Sequence, residues 1–302
     1  MINESLKIQN VVIVGTGLMG TGIAQVAIES GVNVTVVGRT EEKCNSTKAK
    51  ISTGLARSAK KKFADSEETQ SKYVESALAN LEFATDLADI NLAESDLIVE
   101  AIVENLKVKQ KLFSDLERVV SDKCIFATNT SSFQLKDVSC KLGRQDNFAG
   151  LHFFNPVPAM KLVEVVRGDE TSDEVYDALF SFCQRLGKTP VRCKDTPGFI
   201  VNRLLIPYLL DAMKMAERGD AEIKDIDTAM KLGTSYPMGP FELLDYIGLD
   251  TMKFIVDGWH QRYPEDEKFV PCAMLDRLVS EGKLGKKTGE GFMKYDSTPR
   301  RG

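Results

Sequence analysis

The chain has 302 residues, enough for one large or two medium domains, and its 43% hydrophobic and 27% charged content is that of an ordinary globular protein. A formal charge of −5 argues against a general nucleic-acid binder, although Lys60-Lys61-Lys62 forms a local basic cluster. Six cysteines without a C-x-x-C pair, and only two histidines, argue against a zinc site and a disulfide framework, so reduced intracellular thiols are expected.

The first ten residues are too short and too little basic for a transit peptide. Val11-Val12-Ile13-Val14 is a short β-branched strand that runs into Gly15-Thr16-Gly17-Leu18-Met19-Gly20, and Thr21 to Ala27 continues as an apolar helix. A strand, then G-x-G-x-x-G, then a helix is the arrangement that seats a pyrophosphate on a helix N-terminus. Gly15 permits the tight turn, Gly17 lets the backbone approach the phosphates, and Gly20 lets the helix pack close to the strand. The ligand is held by orphan N–H groups and the positive end of the helix dipole, so no side chain need donate. Placed between strand and helix, the glycines predict a dinucleotide site.

Further strands are predicted at 32–37, 97–101, 124–127 and 148–153. Helical patterns lie between them, such as Leu106, Leu112, Phe113, Leu116 and Val119 within 105–120. The charged stretch 41–80 is too long for a simple crossover and reads as a projecting helical hairpin or a solvated insertion. This alternation predicts a parallel, doubly wound α/β sheet of Rossmann-like type. Strands at 162–166 and 190–193 follow. Asp195-Thr196-Pro197-Gly198 is then a turn and helix-start signal. Phe199 to Arg218 is apolar on nearly every side and stops at Gly219, so it must be buried in a core or an interface. Pro207 should kink that helix or remove a hydrogen bond. No convincing strand follows. The predicted organisation is an α/β domain over 1–195 and an all-α domain over 196–302. No apolar run reaches the ~18 residues of a membrane helix.

Hydride transfer from an alcohol to a nicotinamide needs a base for the hydroxyl proton. His152, at the end of a predicted strand, lies where ligands of open α/β sheets bind. Glu164 sits in the next strand between Val163 and Val165, where a buried carboxylate needs a partner. Imidazole would serve, with the carboxylate fixing its tautomer. A core-satisfied histidine and an edge-strand glutamate are the alternatives. Asn202 interrupts an apolar helix start, where it would meet a substrate oxygen or cap a backbone group. Thr128-Asn129-Thr130-Ser131-Ser132 follows a strand and reads as a ligand-facing segment or a solvated turn. Gly285-Lys286-Lys287-Thr288-Gly289 fails the spacing of a phosphate-binding loop and has no strand before it.

Taken together, the stretches GTGLMGTGIAQVA, VEAIVENLKVK, NTSS, AGLHFFNPVPAMKLVEVV, KDTPGFIVNRLL, YPMGPFELLDYIGLD and GKKTGEGF resemble the L-3-hydroxyacyl-CoA dehydrogenases of fatty-acid β-oxidation, of the short-chain, single-function type. The match runs from about residue 10 to 295. The resemblance implies an NAD-dependent enzyme acting on an acyl-CoA substrate, with His152 as acid/base and Glu164 orienting it. Ser131 and Asn202 would sit at the substrate oxygen. Glu104, Lys109, Ser131, Asn155 and Lys287 would lie near the cofactor, and Lys61 near the CoA phosphates. It also implies a homodimer formed through the helical domain, with neither nucleic acid nor membrane as partner. The mitochondrial matrix is the family's usual address, the cytoplasm being the alternative.

The sequence departs from that family in two places. Relatives end the second strand with an aspartate that grips the adenosine ribose, whereas here Val36-Val37 is followed by Gly38-Arg39. That exchange admits NADP, and with it an NADP-dependent 3-hydroxybutyryl-CoA dehydrogenase as the rival reading. The hairpin serine associated with CoA contact is Gly54 here. A catalytically silent, crystallin-like NAD-binding protein is the rival of another class, and an intact His152, Glu164, Ser131 and Asn202 speak against it.

Overall fold

A computed structural model describes residues 7–295 of the chain. It divides into two compact units, Met1–Phe199 and Ile200–Gly302. The first unit runs β1 (Asn10–Val14), α1 (Leu18–Glu29), β2 (Asn33–Val37), α2 (Glu41–Lys62), α3 (Glu67–Leu78), β3 (Leu81–Ala84), β4 (Leu97–Glu100) and α4 (Leu106–Leu116). It continues with β5 (Ile125–Thr128), α5 (Leu135–Ser139), β6 (Phe148–Phe153), β7 (Leu162–Arg167), α6 (Asp173–Arg185) and β8 (Thr189–Lys194). The strands form an eight-stranded sheet in the order β3-β2-β1-β4-β5-β6-β7-β8. The chain builds outward from β1 to β3 and then returns to the other side of β1 with β4. Such a reversal opens a crevice at the carboxyl ends of the strands.

Alternate residues of the central strands serve opposite faces, as the period of two requires. Val11 and Ile13 pack with Ile23, Leu151 and Leu179 on one side, while Val12 and Val14 pack with Phe113, Phe126 and Phe148 on the other. With both faces covered, the central strands are apolar except at their ends, which is what made them legible. The hairpin predicted at 41–80 is the pair α2 and α3, each capped at its start by a hydroxyl, Thr40 and Ser66.

Three sequence expectations are corrected. β3 was not foreseen, because Leu81-Glu82-Phe83-Ala84 is a short edge strand with no buried residue. The helix expected over 105–120 ends at Leu116. The sheet is not wholly parallel, since β6 and β7 pair antiparallel. Only 154–161 joins them, which is shorter than the crossover of about a dozen residues that a parallel return needs.

The second unit holds α7 (Val201–Glu217), α8 (Ile223–Thr234), α9 (Pro240–Ile247), α10 (Leu249–Arg262) and α11 (Ala273–Ser280). Its core gathers Leu209, Met213, Phe241, Leu244, Met252, Trp259 and Phe269. α7 continues through Pro207 without interruption. Its apolar surface is not all covered, since Leu204 stands 71% exposed opposite the buried face of Ile206, Leu209, Leu210 and Met213. Among the described residues, no helix is long and apolar enough to cross a membrane.

Candidate active site

The turn after β1 has the conformation its glycines predict. Gly15 takes a φ of +129°, and a Cβ there would fall 2.3 Å from the carbonyl oxygen of Ala101. A Cβ on Gly20 would fall 2.0 Å from the Gly15 carbonyl oxygen, so both positions exclude a side chain. Gly17 is the N-cap of α1 and offers no side-chain cap, and nothing lies within 4 Å of where its Cβ would be. The first-turn N–H groups of α1 are left without a side-chain cap, and the cradle fits a pyrophosphate. Leu18 is exposed beside it, while Met19 packs on the core. Thr16 accepts a hydrogen bond through its carbonyl from the Thr47 hydroxyl at 3.4 Å.

At the end of β2, Gly38 is enclosed. Its N–H donates to the Ala84 carbonyl at 3.0 Å. A Cβ there would meet Cys44 Sγ at 2.6 Å and Thr16 Cγ2 at 2.8 Å, so the place of the family's carboxylate is filled by these neighbours. Arg39 follows and is exposed, immediately before the Thr40 cap of α2.

At the opposite end of the crevice, β6 and β7 place His152 directly opposite Glu164 in antiparallel register. Directly opposed residues share one face of a sheet, and these two meet at 2.6 Å, Nδ1 to Oε2. Both are buried, Glu164 completely. An ionised carboxylate only accepts, so Nδ1 carries the hydrogen and Nε2 is left with the lone pair that a base requires. The rings of Phe154 and Phe199 pack against the imidazole at 4.5 and 5.4 Å between centroids. The pair is thus held in a low-dielectric setting that strengthens a charge–charge interaction.

Between these ends lies a network anchored on Glu104. Its Oε1 accepts from the Ser132 hydroxyl at 2.7 Å, from the N–H groups of Ser131 and Ser132 at 3.3 Å each, and from the Thr130 hydroxyl. Lys109 reaches Oε2 at 3.0 Å. Burial works to raise the Glu104 carboxyl, but the Lys109 ammonium and the hydroxyl hydrogen bonds outweigh it and hold the group below its ordinary range. Ser131 is in this way fixed through its backbone. Lys109 itself is 1% exposed, with its ammonium 2.5 Å from the wholly buried carboxylate of Glu100. Sequence reasoning missed Glu100, which accepts from the Thr128 hydroxyl at 2.6 Å. The available signal was the one that singled out Glu164, a glutamate in an apolar strand. Asn129, within the segment singled out in the sequence, accepts through its side chain from the Phe153 N–H at 3.0 Å, next in the chain to His152.

The remaining candidates lie on other segments of the first unit or in the second unit. Asn155 follows β6 and precedes Pro156. Lys61 is exposed in the last turn of α2. A Cβ at Gly54 would meet Gln25 Oε1 at 2.2 Å, so Gln25 occupies the space a serine would need. In the helical unit, Asn202 lies in the first turn of α7 and Lys287 pairs with Asp250.

Comparisons with known proteins agree with this geometry. The family model "3-hydroxyacyl-CoA dehydrogenase, NAD binding domain" matches residues 10–196, and "3-hydroxyacyl-CoA dehydrogenase, C-terminal domain" matches 198–295. The chain is 54% identical over 292 residues to the human protein named mitochondrial hydroxyacyl-coenzyme A dehydrogenase, covering 97% of this chain and 93% of the relative. It is 44% identical over 284 residues to a probable 3-hydroxybutyryl-CoA dehydrogenase of Deinococcus radiodurans, covering 94% and 99%. Among solved structures, the (S)-3-hydroxybutyryl-CoA dehydrogenase of Ralstonia eutropha superposes with a TM-score of 0.89 at 37% identity, covering 96% of this chain and all 100% of that one. Matched along nearly its whole length in both units, the chain belongs to the 3-hydroxyacyl-CoA dehydrogenase family, oxidoreductases that act on a CH–OH group.

Proposed function

We propose that the protein oxidises L-3-hydroxyacyl-CoA to 3-ketoacyl-CoA in fatty-acid β-oxidation, with NAD as the dinucleotide. The observation that carries the reading is the buried His152–Glu164 pair at the end of the crevice that the glycine turn opens. His152 Nε2 takes the proton of the substrate 3-hydroxyl, and Glu164 stabilises the imidazolium that forms. The dinucleotide supplies the hydride acceptor. Ser131, on the loop that Glu104 organises, and Asn202 are assigned to the substrate oxygen on the motif resemblance, as are Lys61 to the CoA phosphates and Asn155 and Lys287 to the cofactor. Oxidation of NADH by acetoacetyl-CoA, followed at the nicotinamide absorption band, tests the activity. No turnover with either NADH or NADPH would leave a silent dinucleotide-binding protein.

Two neighbouring assignments go with this reading. The mammalian relatives are named as mitochondrial, which supports the mitochondrial matrix as the site of action. The exposed apolar side chains Leu204, Leu232, Tyr246 and Phe254 of the helical unit support a two-fold homodimer. Light scattering is expected to return twice the chain mass at micromolar concentration, and 33.4 kDa with full activity would refute the dimer.

NAD is preferred because the matched domain belongs to an NAD-binding family, but discrimination is expected to be weak. A carboxylate after β2 both binds the ribose hydroxyls of NAD and repels the 2′-phosphate of NADP, and here it is absent. Arg39 can meet that phosphate. The kcat/KM for NADH should exceed that for NADPH by less than the family norm, and a preference for NADPH above about tenfold, ~1.4 kcal/mol, overturns the choice. Gly38→Asp should move the ratio further toward NADH, but its Cβ must first displace Cys44 and Thr16. Arg39→Gln is the cleaner probe. It should lower kcat/KM for NADPH and leave that for NADH within about twofold.

A further inference from the structure

We propose that Glu100, Lys109 and Glu104 form a buried charge cluster, one unit negative overall, that biases the bound dinucleotide toward its oxidised form, with Glu100 acting as a positioning residue. The proposal rests on the dinucleotide site described above.

Glu100 accepts from three donors. Lys109 Nζ approaches at 2.5 Å, the Thr128 hydroxyl at 2.6 Å and the Ile102 N–H at 2.8 Å. The Thr128 hydroxyl in turn accepts from the Thr130 N–H at 3.2 Å, which leaves its hydrogen for Glu100. Glu104 likewise accepts from the Lys109 ammonium and the Thr130–Ser132 segment. Two carboxylates therefore share one ammonium. Lys109 and Glu100 are 1% and 0% exposed at their side chains and Glu104 is 28% exposed, so the excess charge is poorly screened and finds its outlet at Glu104.

Topology says what that charge faces. The pyrophosphate cradle follows β1, and the ribose-reading position follows β2 on one side of it. The other half of a dinucleotide must then extend to the opposite side of β1, across the ends of β4 and β5, to reach His152 at the end of β6. Glu100 and Thr128 are the last residues of β4 and β5 and are register partners. The oxidised nicotinamide ring carries a positive charge that the reduced ring lacks. A fixed negative charge beneath its path favours the oxidised form and leaves the reduced form nearly indifferent. Lys109, named by the motif resemblance as lying near the cofactor, would on this reading act through the two carboxylates rather than by direct contact.

Glu100→Gln preserves size and removes one charge, which makes the cluster neutral. Titration calorimetry of NAD+ and of NADH with the full-length protein and this variant gives the ratio of the two dissociation constants. Glu100→Gln should raise Kd(NAD+)/Kd(NADH) by about three- to tenfold, the scale expected of one charge acting from roughly ten ångströms at an effective dielectric of roughly 30. Thr128→Val removes a hydrogen bond to Glu100 without changing charge, and its ratio should stay within about twofold of the parent. Equal weakening of both forms by Glu100→Gln, or an equal ratio shift in Thr128→Val, would mean that the cluster is only structural. Should Glu100→Gln fail to fold by circular dichroism, Glu104→Gln removes the same charge from a partly exposed position and is read by the same ratio. If the unaltered protein binds neither form, the dinucleotide site itself is overturned and this proposal with it.

Discussion

His152→Gln is expected to lower kcat by at least about a hundredfold, and by as much as ~10⁴-fold, the range that general acid–base catalysis supplies. Glutamine is close to imidazole in reach and can hydrogen-bond Glu164, so the buried pair is not left as an unpaired carboxylate. What disappears is the nitrogen lone pair to which we assign the hydroxyl proton. The dinucleotide cradle lies on another part of the sheet and makes no use of His152, so the Kd for NADH should hold within about twofold. Stopped-flow or steady-state assays with acetoacetyl-CoA and NADH, beside a direct NADH titration, give both numbers. A variant that keeps kcat within a few-fold of the parent would make His152 a core histidine.

Glu164→Gln should be nearly as severe, for a different reason. Its amide oxygen can still accept from His152 Nδ1, so the contact and the tautomer can persist. The amide cannot stabilise the imidazolium that forms as the proton is taken. In a comparable His–carboxylate arrangement the carboxylate-to-amide change lowers kcat by up to ~10⁴-fold where the amide holds the imidazole in the wrong tautomer, and about 10²-fold or more is expected here. The double variant His152→Gln/Glu164→Gln should be little worse than His152→Gln alone, because residues that work as a unit are not additive. Additive losses in the double variant would separate the two residues and refute the pairing as the source of activity.

The glycine turn was fully legible because its causes are local. Gly15, Gly17 and Gly20 are constrained by a strand, a turn and a helix that follow one another within 20 residues, and each constraint is visible in the residue types. The same holds for the apolar central strands, for the capped hairpin of α2 and α3, and for the change to helices alone after β8. β3 was illegible because it is a short edge strand without a buried residue to mark it.

The sequence by itself determined the α/β class, the dinucleotide turn and the shortlist of polar residues set in apolar strands. It offered His152 and Glu164 as a candidate pair, a histidine at a strand end and a carboxylate in an apolar strand, with a core histidine and an edge-strand glutamate as the alternatives. Only the tertiary structure supplies their contact, since an antiparallel β6–β7 pair puts them directly opposite each other, whereas the parallel sheet read from the sequence does not. The same is true of Glu100, which gains its meaning from the β4–β5 register that sets Thr128 beside it and from α4, which turns Lys109 inward. The space closed at Gly38 by Cys44 and Thr16 is likewise a matter of packing. Local sequence fixes backbone conformation and burial through short-range sterics and periodicity. Which buried charges meet is decided by strand order, direction and register, and those depend on contacts between residues far apart in the chain.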